Sequence, residues 1–277
     1  MATPGERERI TSTANPRLKA AVRLRGRRER DTRGLTLIDG VRETARALAG
    51  GAALREGFVL DERASDPDVA DLLARLAERS VPVVELGRDA FARLAYGDRL
   101  DPVIAVAATQ SHRLADLRLP SEPLVAVVEG AEKPGNVGAL LRTADGAGVS
   151  AVVLADPRTD LSNPNIVRAS LGTVFTVPIA VASADEVIAW LRERDIAIIA
   201  ALVDGSVEHT SADLTGPVAI ALGSEAHGLT GAWRDAAAQT VHIPMLGVAD
   251  SLNVSATAAI LFYEALRQRG GAAAAPR

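Results

Sequence analysis

Short apolar runs alternate with amphipathic stretches through the first part of the chain. Residues 16–105 contain helix-like stretches at PRLKAAVRLRGRRER, VRETARALAG and DVADLLARLAER, and strand-like stretches at LTLID, EGFVLDE, VPVVEL and VIAVAA. Alternating strands and helices are typical of layered α/β folds. We therefore expect a smaller α/β domain over residues 1–106.

The alternation restarts at Leu124 with longer apolar runs. Strands are predicted at LVAVVEG, AVVLA, VFTVPIAV, IAIIAAL, VAIALG and VHIPM, and helices at 136–147, near Ile166, at ADEVIAWLRER and at 253–268. Continuous apolar strands separated by helices predict a parallel sheet covered on both faces, over residues 124–270. Residues 107–123 are polar, hold two prolines and have no period, so we expect a linker there. We expect a disordered tail at 271–277.

Composition excludes several kinds of site. The 277 residues include no cysteine, which removes disulfides, thiolate nucleophiles and zinc-thiolate sites. The four histidines show no i, i+4 pairing, so we expect no metal. The first residues are charged, and no apolar run approaches the roughly 20 residues that span a bilayer. We therefore expect a soluble, cytoplasmic protein without membrane association.

Charge is unevenly distributed. The formal net charge is −4, yet residues 1–50 hold 12 Lys or Arg and 6 Asp or Glu. The N-terminal part is thus basic within an acidic protein, and such a distribution favours an anionic partner for that part alone.

The common nucleotide-binding and hydrolase motifs lack support. Residues 146–151 fit G-x-G-x-x-A, but they end a predicted helix and lead into a strand, whereas the dinucleotide motif follows a strand and opens a helix. A helix that ends on glycine explains them better. The chain has no Walker A sequence and no G-x-S-x-G elbow.

Three segments remain as candidates for chemistry. In EGAEKPGNVGALLR, which ends at Arg142, Asn136 suits a helix cap and Arg142 suits a solvated helix face, so each also has a purely structural interpretation. In AIALGSEAHGL, an apolar strand stops at Gly223 beside Glu225. Ligands of parallel sheets bind beyond the carboxyl ends of strands, although Glu225 is equally explained as a carboxylate at a helix N-terminus. In VHIPMLGVADSLNVSATAAILFYEAL, Ser251 or Asn253 caps the last helix.

In this order and spacing, the three segments resemble the SpoU family, the trefoil-knotted RNA 2'-O-methyltransferases that use S-adenosylmethionine. The matching pieces are N-x5-R at Asn136 and Arg142, LGSEAHGL at residues 222–229, and IPM with SLNVS within residues 243–255. The resemblance covers residues 124–268. Residues 10–40 are similar to the family's RNA-binding domain, which is related to a ribosomal protein fold. Asp39 stands where that pattern has Glu, a difference that bears only on RNA contacts.

The resemblance implies a deep trefoil knot in the C-terminal parallel-sheet domain and assigns roles to individual residues. The implied catalytic residues are Arg142, Asn136, Glu225, Ser251 and Asn253. The implied cofactor-binding residues are Leu202, Val203, Gly205, Gly223, Ser224, Glu225, Gly228, Ile243, Met245, Ser251, Leu252 and Asn253. Arg142 would activate the ribose hydroxyl, either as a base or, since arginine stays protonated in proteins, by stabilising the developing alkoxide.

The resemblance also implies partners. The implied RNA-binding residues are Arg23, Arg25, Arg27, Arg28, Arg30 and Arg33, although an Arg-rich solvated helix face is the structural alternative. We expect a 23S rRNA substrate and a homodimer. The alternatives are a tRNA 2'-O-methyltransferase, a non-catalytic RNA-binding or ribosome-assembly factor, and a Rossmann-type dehydrogenase or methyltransferase. A Rossmann-type enzyme would have a Gly-rich turn after its first strand, and this sequence has none there. A non-catalytic factor would carry degraded cofactor motifs, whereas GSE, IPM and SLN are intact here.

Overall fold

A computed structural model describes residues 7–95 and 101–270. They form two compact units. The first comprises the described residues up to Gln110 together with Asp160–Thr176, and the second comprises Ser111–Thr159 and the described residues from Val177 onward. The expected tail at 271–277 lies outside the described residues. The expected boundaries at 106 and 124 stay predictions, and Asp160–Thr176 groups with the N-terminal unit.

Within residues 7–95 and 101–108, the first part of the chain folds into five strands and five α-helices. In chain order they are β1 (Arg9–Ile10), α1 (Pro16–Arg23), α2 (Arg27–Arg33), β2 (Leu35–Asp39), α3 (Val41–Ala49), β3 (Leu54–Leu60), α4 (Pro67–Glu78), β4 (Val83–Leu86), α5 (Arg88–Leu94) and β5 (Val103–Ala108). The sheet has the order β1-β4-β3-β5-β2. β5 runs antiparallel to β3 and β2, so this sheet is mixed. Phe58 and Phe91 are fully buried in one of its two core clusters.

Up to residue 270, the last that the structure describes, the second part contributes seven strands and five α-helices. They are β6 (Leu124–Glu129), α6 (Pro134–Ala147), β7 (Ala151–Ala155), α7 (Pro164–Ala169), β8 (Ile179–Ala182), α8 (Ala184–Arg192), β9 (Ala197–Ala201), β10 (Val207–Glu208), β11 (Val218–Leu222), α9 (Gly231–Ala236), β12 (Gln239–His242) and α10 (Val254–Gln268). α7 belongs to the first unit and the others to the second.

The sheet of the second unit is parallel throughout, as predicted. Its order is β10-β12-β9-β11-β6-β7-β8. Every pairing is parallel, for example Val218 with Leu124 and Val125 with Ala151. β6, β7 and β11 are buried along their whole length, which explains their continuous apolar sequences. The expected trefoil knot stays a prediction.

Several elements differ from the sequence-based expectation. The basic stretch predicted as one helical segment is two helices, because Gly26 has an extended backbone and forms the N-cap of α2. VFTVPIAV was expected to be one strand, but a 3₁₀ turn at Thr173–Phe175 precedes β8, and Pro178 between them has no N–H to donate. β12 ends at His242, so IPM lies in the following loop. Strands β1 and β10 and helices α5 and α9 were not predicted.

The C-terminal end of α10 is held by Arg269. Its guanidinium donates hydrogen bonds to four backbone carbonyls: Leu214 (2.8 Å), Glu122 (2.9 Å), Pro123 (3.4 Å) and Gly216. Burial lowers the pKa of this guanidinium. One side chain therefore ties the last helix to two loops of the same unit.

Arg269→Ala is expected to lower the free energy of unfolding by about 2 kcal/mol, because hydrogen bonds to a charged group are among the stronger ones and the carbonyls lose their donor. Urea unfolding of the full chain measures this loss. The control is Arg267→Ala in the same turn, whose exposed guanidinium pairs with Glu264 and whose removal leaves no backbone carbonyl without its donor, so a smaller loss is expected. Equal losses in the two variants would contradict the role given to Arg269.

Two general features limit the kinds of site present. No helix within residues 7–95 and 101–270 is long and apolar enough to cross a membrane. In the same ranges, no group of three or more His, Asp or Glu side chains is arranged to hold a metal ion.

Candidate functional site

The loop after β11 is a closed turn. Ser224 and Gly228 form an antiparallel bridge, and the Gly228 N–H donates to the Ser224 carbonyl at 2.9 Å. Gly228 has φ +66°, a conformation that favours glycine. A Cβ at Gly223 would overlap the backbone of Gly228 and Leu229. Both glycines are therefore required by the shape of the turn that presents Glu225.

A buried carboxylate anchors the far end of this turn. Glu129, the last residue of β6, is 6% exposed. It accepts hydrogen bonds from the Thr230 N–H (2.7 Å) and the Thr230 hydroxyl (2.9 Å). The turn is thus fixed at one end by β11 and at the other by Glu129. This role is not visible in the sequence, because Thr230 is 101 positions away along the chain.

Glu225 gathers side chains from three separate segments. The Asn136 amide donates to Glu225 Oε1 at 2.6 Å, and the Asn253 amide donates to the same oxygen. The Lys133 ammonium donates to Oε2. We call Glu225, Asn136, Asn253 and Lys133 the Glu225 cluster. Hydrogen bonding and attraction from Lys133, with further hydrogen bonds from Asn136 and Asn253, lower the pKa of Glu225 despite some desolvation.

This cluster decides between the alternative interpretations of three residues. Asn136 does not cap α6, because the helix begins at Pro134 with Lys133 as its N-cap. Asn253 caps α10 by accepting from the Ser255 N–H at 2.9 Å, while its amide faces Glu225. Glu225 lies in a loop and not in a helical first turn. Lys133, the N-cap residue of α6, was not predicted to belong to the site.

Replacing Lys133 by methionine is expected to raise the pKa of Glu225 toward its ordinary value, because the largest cause of its lowering is removed. A lowered carboxylate pKa stabilises the fold above the unfolded-state pKa, and this contribution is lost as pH falls through the folded-state pKa. In Lys133→Met this contribution should therefore be smaller, and its loss should be complete at a higher pH. An NMR titration of the Glu225 carboxyl measures the midpoint. Glu132→Gln is the control, since Glu132 pairs with Arg158, and identical midpoints in Lys133→Met and wild type would contradict the assignment.

A cavity of 410 Å³ lies beside the cluster, at the carboxyl ends of β9, β11 and β12. Its walls come from the ends of these strands, from the loop before α10 and from the first turns of α10. It is lined by Ala201, Leu202, Val203, Leu222, Gly223, Ser224, Glu225, Gly228, Val241, His242, Ile243, Met245, Asp250, Ser251, Leu252, Val254, Thr257 and Leu261. We call it the first cavity. Its size is that of a small-molecule site, and its position is where parallel sheets bind ligands.

Most residues expected to bind a cofactor line the first cavity. The two that do not are Gly205 and Asn253. The Gly205 carbonyl lies 2.9 Å from His242 Nδ1, and a Cβ at Gly205 would overlap the Val241 backbone, so Gly205 supports the wall from behind. His242, Asp250, Thr257 and Leu261 also line the cavity, but they lie outside the quoted motifs and were not predicted. The binding roles themselves stay predictions.

A second cavity of 230 Å³ adjoins the cluster on the side of α6. It is lined by Val128, Ala131, Glu132, Lys133, Asn136, Val137, Leu140, Leu154, Ser224, Glu225, Ala226 and Val254. Ser224, Glu225 and Val254 also line the first cavity, so the two cavities share a wall.

The remaining predicted catalytic residues are placed differently. Ser251 lines the first cavity. Arg142 is exposed on α6, six residues after Asn136, and lines neither cavity. It forms no hydrogen bond or ion pair with any side chain in the described ranges. Its guanidinium is thus available to a ligand, but the described residues do not bring it into the Glu225 cluster.

The N-terminal arginines fall into two groups. Arg23, Arg27, Arg28 and Arg33 are exposed, and Arg33 pairs with Glu29 at 2.6 Å. Arg30 is only 2% exposed. It donates to Asp160 at 2.9 Å and to the carbonyls of Leu24 (3.1 Å) and Arg25 (2.7 Å).

Arg30 therefore does not present its charge to a phosphate, which corrects the expectation for this residue. Arg25 is half-buried and donates to the Ala95 carbonyl. The spacing of the arginines in the sequence does not indicate which guanidinium groups are buried in the fold.

Comparison with known proteins agrees with this geometry. Residues 123–263 match the model of the SpoU rRNA methylase family, and residues 15–105 match that of the MRM3-like substrate binding domain. The chain is 32% identical over 275 residues to the 23S rRNA (uridine(2479)-2'-O)-methyltransferase of Streptomyces viridochromogenes, covering 96% of this chain and 94% of that protein.

Solved structures are similar over the same extent. A crystal structure of an RNA 2'-O ribose methyltransferase has a TM-score of 0.84 and 41% identity, covering 94% of this chain and 99% of that one. The AdoMet-bound rRNA methyltransferase of Sinorhizobium meliloti has a TM-score of 0.86 and 28% identity, covering 95% and 98%.

Proposed function

This chain belongs to the SpoU rRNA methylase family, and on that premise we propose that it transfers a methyl group from S-adenosylmethionine to a ribose 2'-hydroxyl of 23S rRNA. One observation carries the proposal. Three segments distant in sequence, the turn after β11, the start of α6 and the start of α10, meet at Glu225 beside the first cavity.

The residues of the first cavity fit S-adenosylmethionine. Apolar side chains of Leu202, Ile243 and Met245 suit an adenine ring in a preformed pocket. The absence of a side chain at Gly223 lets the turn close against Gly228 and Leu229 at the edge of this pocket. The carboxylates of Asp250 and Glu225 complement a cationic ligand. When bound, S-adenosylmethionine supplies an electrophilic methyl group.

The side chains around the cluster would orient the ribose and stabilise the negative charge that develops on its 2'-oxygen. Asn136, Ser251 and Asn253 offer donors and acceptors for ribose hydroxyls, and Glu225 holds the two asparagine amides in place. Arg142 would stabilise the alkoxide that develops as the 2'-hydroxyl loses its proton, since a guanidinium needs no pKa shift for that role. Positioning and electrostatic stabilisation therefore carry most of the catalysis.

The N-terminal unit would bind the RNA. Its exposed arginines, Arg23, Arg27, Arg28 and Arg33, would contact phosphates, and the half-buried Arg25 would contribute at the edge of this surface. The affinity for RNA should therefore fall steeply as the salt concentration rises. Aromatic residues make up 3% of the chain, which favours recognition of RNA by shape and backbone. The choice of 23S rRNA rests on the relatives' names; tRNA is the alternative substrate.

Three further properties belong to the proposal. The family resemblance supports a homodimer, a knotted C-terminal segment and a cytoplasmic location. Light scattering at micromolar concentration tests the first, and a monomeric mass would contradict it.

A labelled-methyl assay tests the activity. The full chain is incubated with radiolabelled S-adenosylmethionine and deproteinised total RNA, and cofactor binding and label in each RNA size class are measured. We expect binding and label in 23S rRNA. Label in tRNA would select the alternative substrate, and binding of RNA without cofactor binding or transfer would favour a non-catalytic RNA-binding factor.

A further inference from the structure

The second cavity has the composition of a site for a flat, partly apolar group. Its inner wall is aliphatic, from Val128, Val137, Leu140 and Leu154 at the ends of β6 and β7 and on α6. The remaining lining residues include polar groups, among them Asn136 and Lys133. A volume of 230 Å³ is below the roughly 300–1,000 Å³ of sites for whole drug-sized ligands, so it suits a part of a larger ligand.

The position of this cavity limits what that ligand is. Glu225, Ser224 and Val254 separate it from the first cavity by a single layer of residues. Methyl transfer requires the acceptor oxygen in line with the donor methyl, so the acceptor ribose must lie beside the cofactor, and the shared wall with its Glu225 cluster is the place that offers it polar partners. A group attached to that ribose then falls within reach of the second cavity.

We propose that the second cavity receives the base of the target nucleotide, turned out of the RNA stack, while its ribose lies on the Glu225 cluster. This inference rests on the proposed function. The aliphatic wall would replace stacking neighbours, and the Asn136 amide, which also lines the cavity, would meet the polar edge of the base. No aromatic side chain lines the cavity, so burial between aliphatic groups takes the place of ring stacking.

Lys133 adds a charge at the same place. Its side chain is 69% exposed, and its ammonium rests on Glu225. An ammonium is a mobile point charge on a flexible stem, so it can turn from Glu225 to the phosphate of the bound nucleotide. The cavity therefore offers apolar walls for a base and a cation for its phosphate, which fits the chemistry of a nucleotide.

Ala226 allows this cavity to be filled without disturbing the core. It is exposed and lines the second cavity but not the first. His227, its neighbour in the same turn, is also exposed and lines neither cavity, so His227→Trp is a control of equal bulk. Ala226→Leu and Ala226→Trp form a graded pair, and thermal unfolding checks that all variants remain folded.

The measurement is methyl transfer to an unmodified 23S rRNA transcript at saturating S-adenosylmethionine, with cofactor affinity measured by calorimetry. Ala226→Trp is expected to raise KM for the transcript, or lower kcat/KM, by about tenfold or more, with Ala226→Leu between it and wild type. The affinity for S-adenosylmethionine should stay unchanged, and His227→Trp should behave as wild type.

Two negative outcomes are distinct. If wild type methylates the transcript and Ala226→Trp does so with unchanged kcat/KM, the second cavity does not hold the base. The same conclusion follows if His227→Trp is impaired as strongly as Ala226→Trp. If wild type binds S-adenosylmethionine but transfers no methyl group to any RNA, the proposed function itself fails.

Discussion

Arg142→Ala is expected to slow methyl transfer to RNA by about 10²–10³-fold while the affinity for S-adenosylmethionine stays unchanged. Arg142 is exposed, lines neither cavity and has no hydrogen-bonding partner in the described ranges, so its removal should disturb neither fold nor cofactor pocket. The loss should appear in the chemical step, because a guanidinium that stabilises a developing alkoxide acts mainly in the transition state.

Single-turnover transfer from labelled S-adenosylmethionine measures this step, and calorimetry measures cofactor binding. Arg142→Lys should recover only part of the rate, since an ammonium keeps the charge but not the planar fork. Arg192→Ala, an exposed arginine at the end of α8, is the control and should retain full activity. Near wild-type transfer by Arg142→Ala would remove Arg142 from the catalytic residues.

Gly223→Ala is expected to weaken S-adenosylmethionine binding by at least about tenfold, a loss of about 1.4 kcal/mol. The added Cβ would overlap backbone atoms of Gly228 and Leu229, which cannot move aside as a side chain does. The turn must then shift, and it carries the shared wall of the two cavities. Methyl transfer should fall together with cofactor affinity.

Gly231→Ala is the control for this prediction. Gly231 is the first residue of α9, and a Cβ there would meet nothing within 4 Å. Its substitution should leave cofactor affinity unchanged and the fold intact. Unchanged cofactor binding in Gly223→Ala would show that the turn does not form the cofactor site.

The parallel sheet and its helices were predictable because their signal is local. The buried strands β6, β7 and β11 are continuous apolar runs, and the intervening helices are amphipathic. Short elements such as β1 and β10, with two residues each, carry too little pattern to be recognised. The grouping of Asp160–Thr176 with the N-terminal unit depends on contacts such as Arg30 with Asp160, which sequence spacing does not reveal.

The candidate site was predictable in its residues but not in its connections. Asn136, Glu225 and Asn253 stood out from motif order, and the structure joins them through hydrogen bonds. Glu129 and Lys133 were missed because their partners, Thr230 and Glu225, lie about a hundred residues away in sequence. Arg30 illustrates the reverse, since an arginine-rich run indicates charge but not which guanidinium is buried.

Mapping of ribose methylation in 23S rRNA shows whether this chain methylates that RNA in the cell. RNA from a strain that lacks this gene is compared with RNA from its parent and from the deletion strain carrying either the wild-type gene or the Arg142→Ala gene. We expect one 2'-O-methyl group of 23S rRNA to be lost on deletion, restored by the wild-type gene and not restored by Arg142→Ala. An unchanged 23S rRNA methylation pattern in the deletion strain would contradict it.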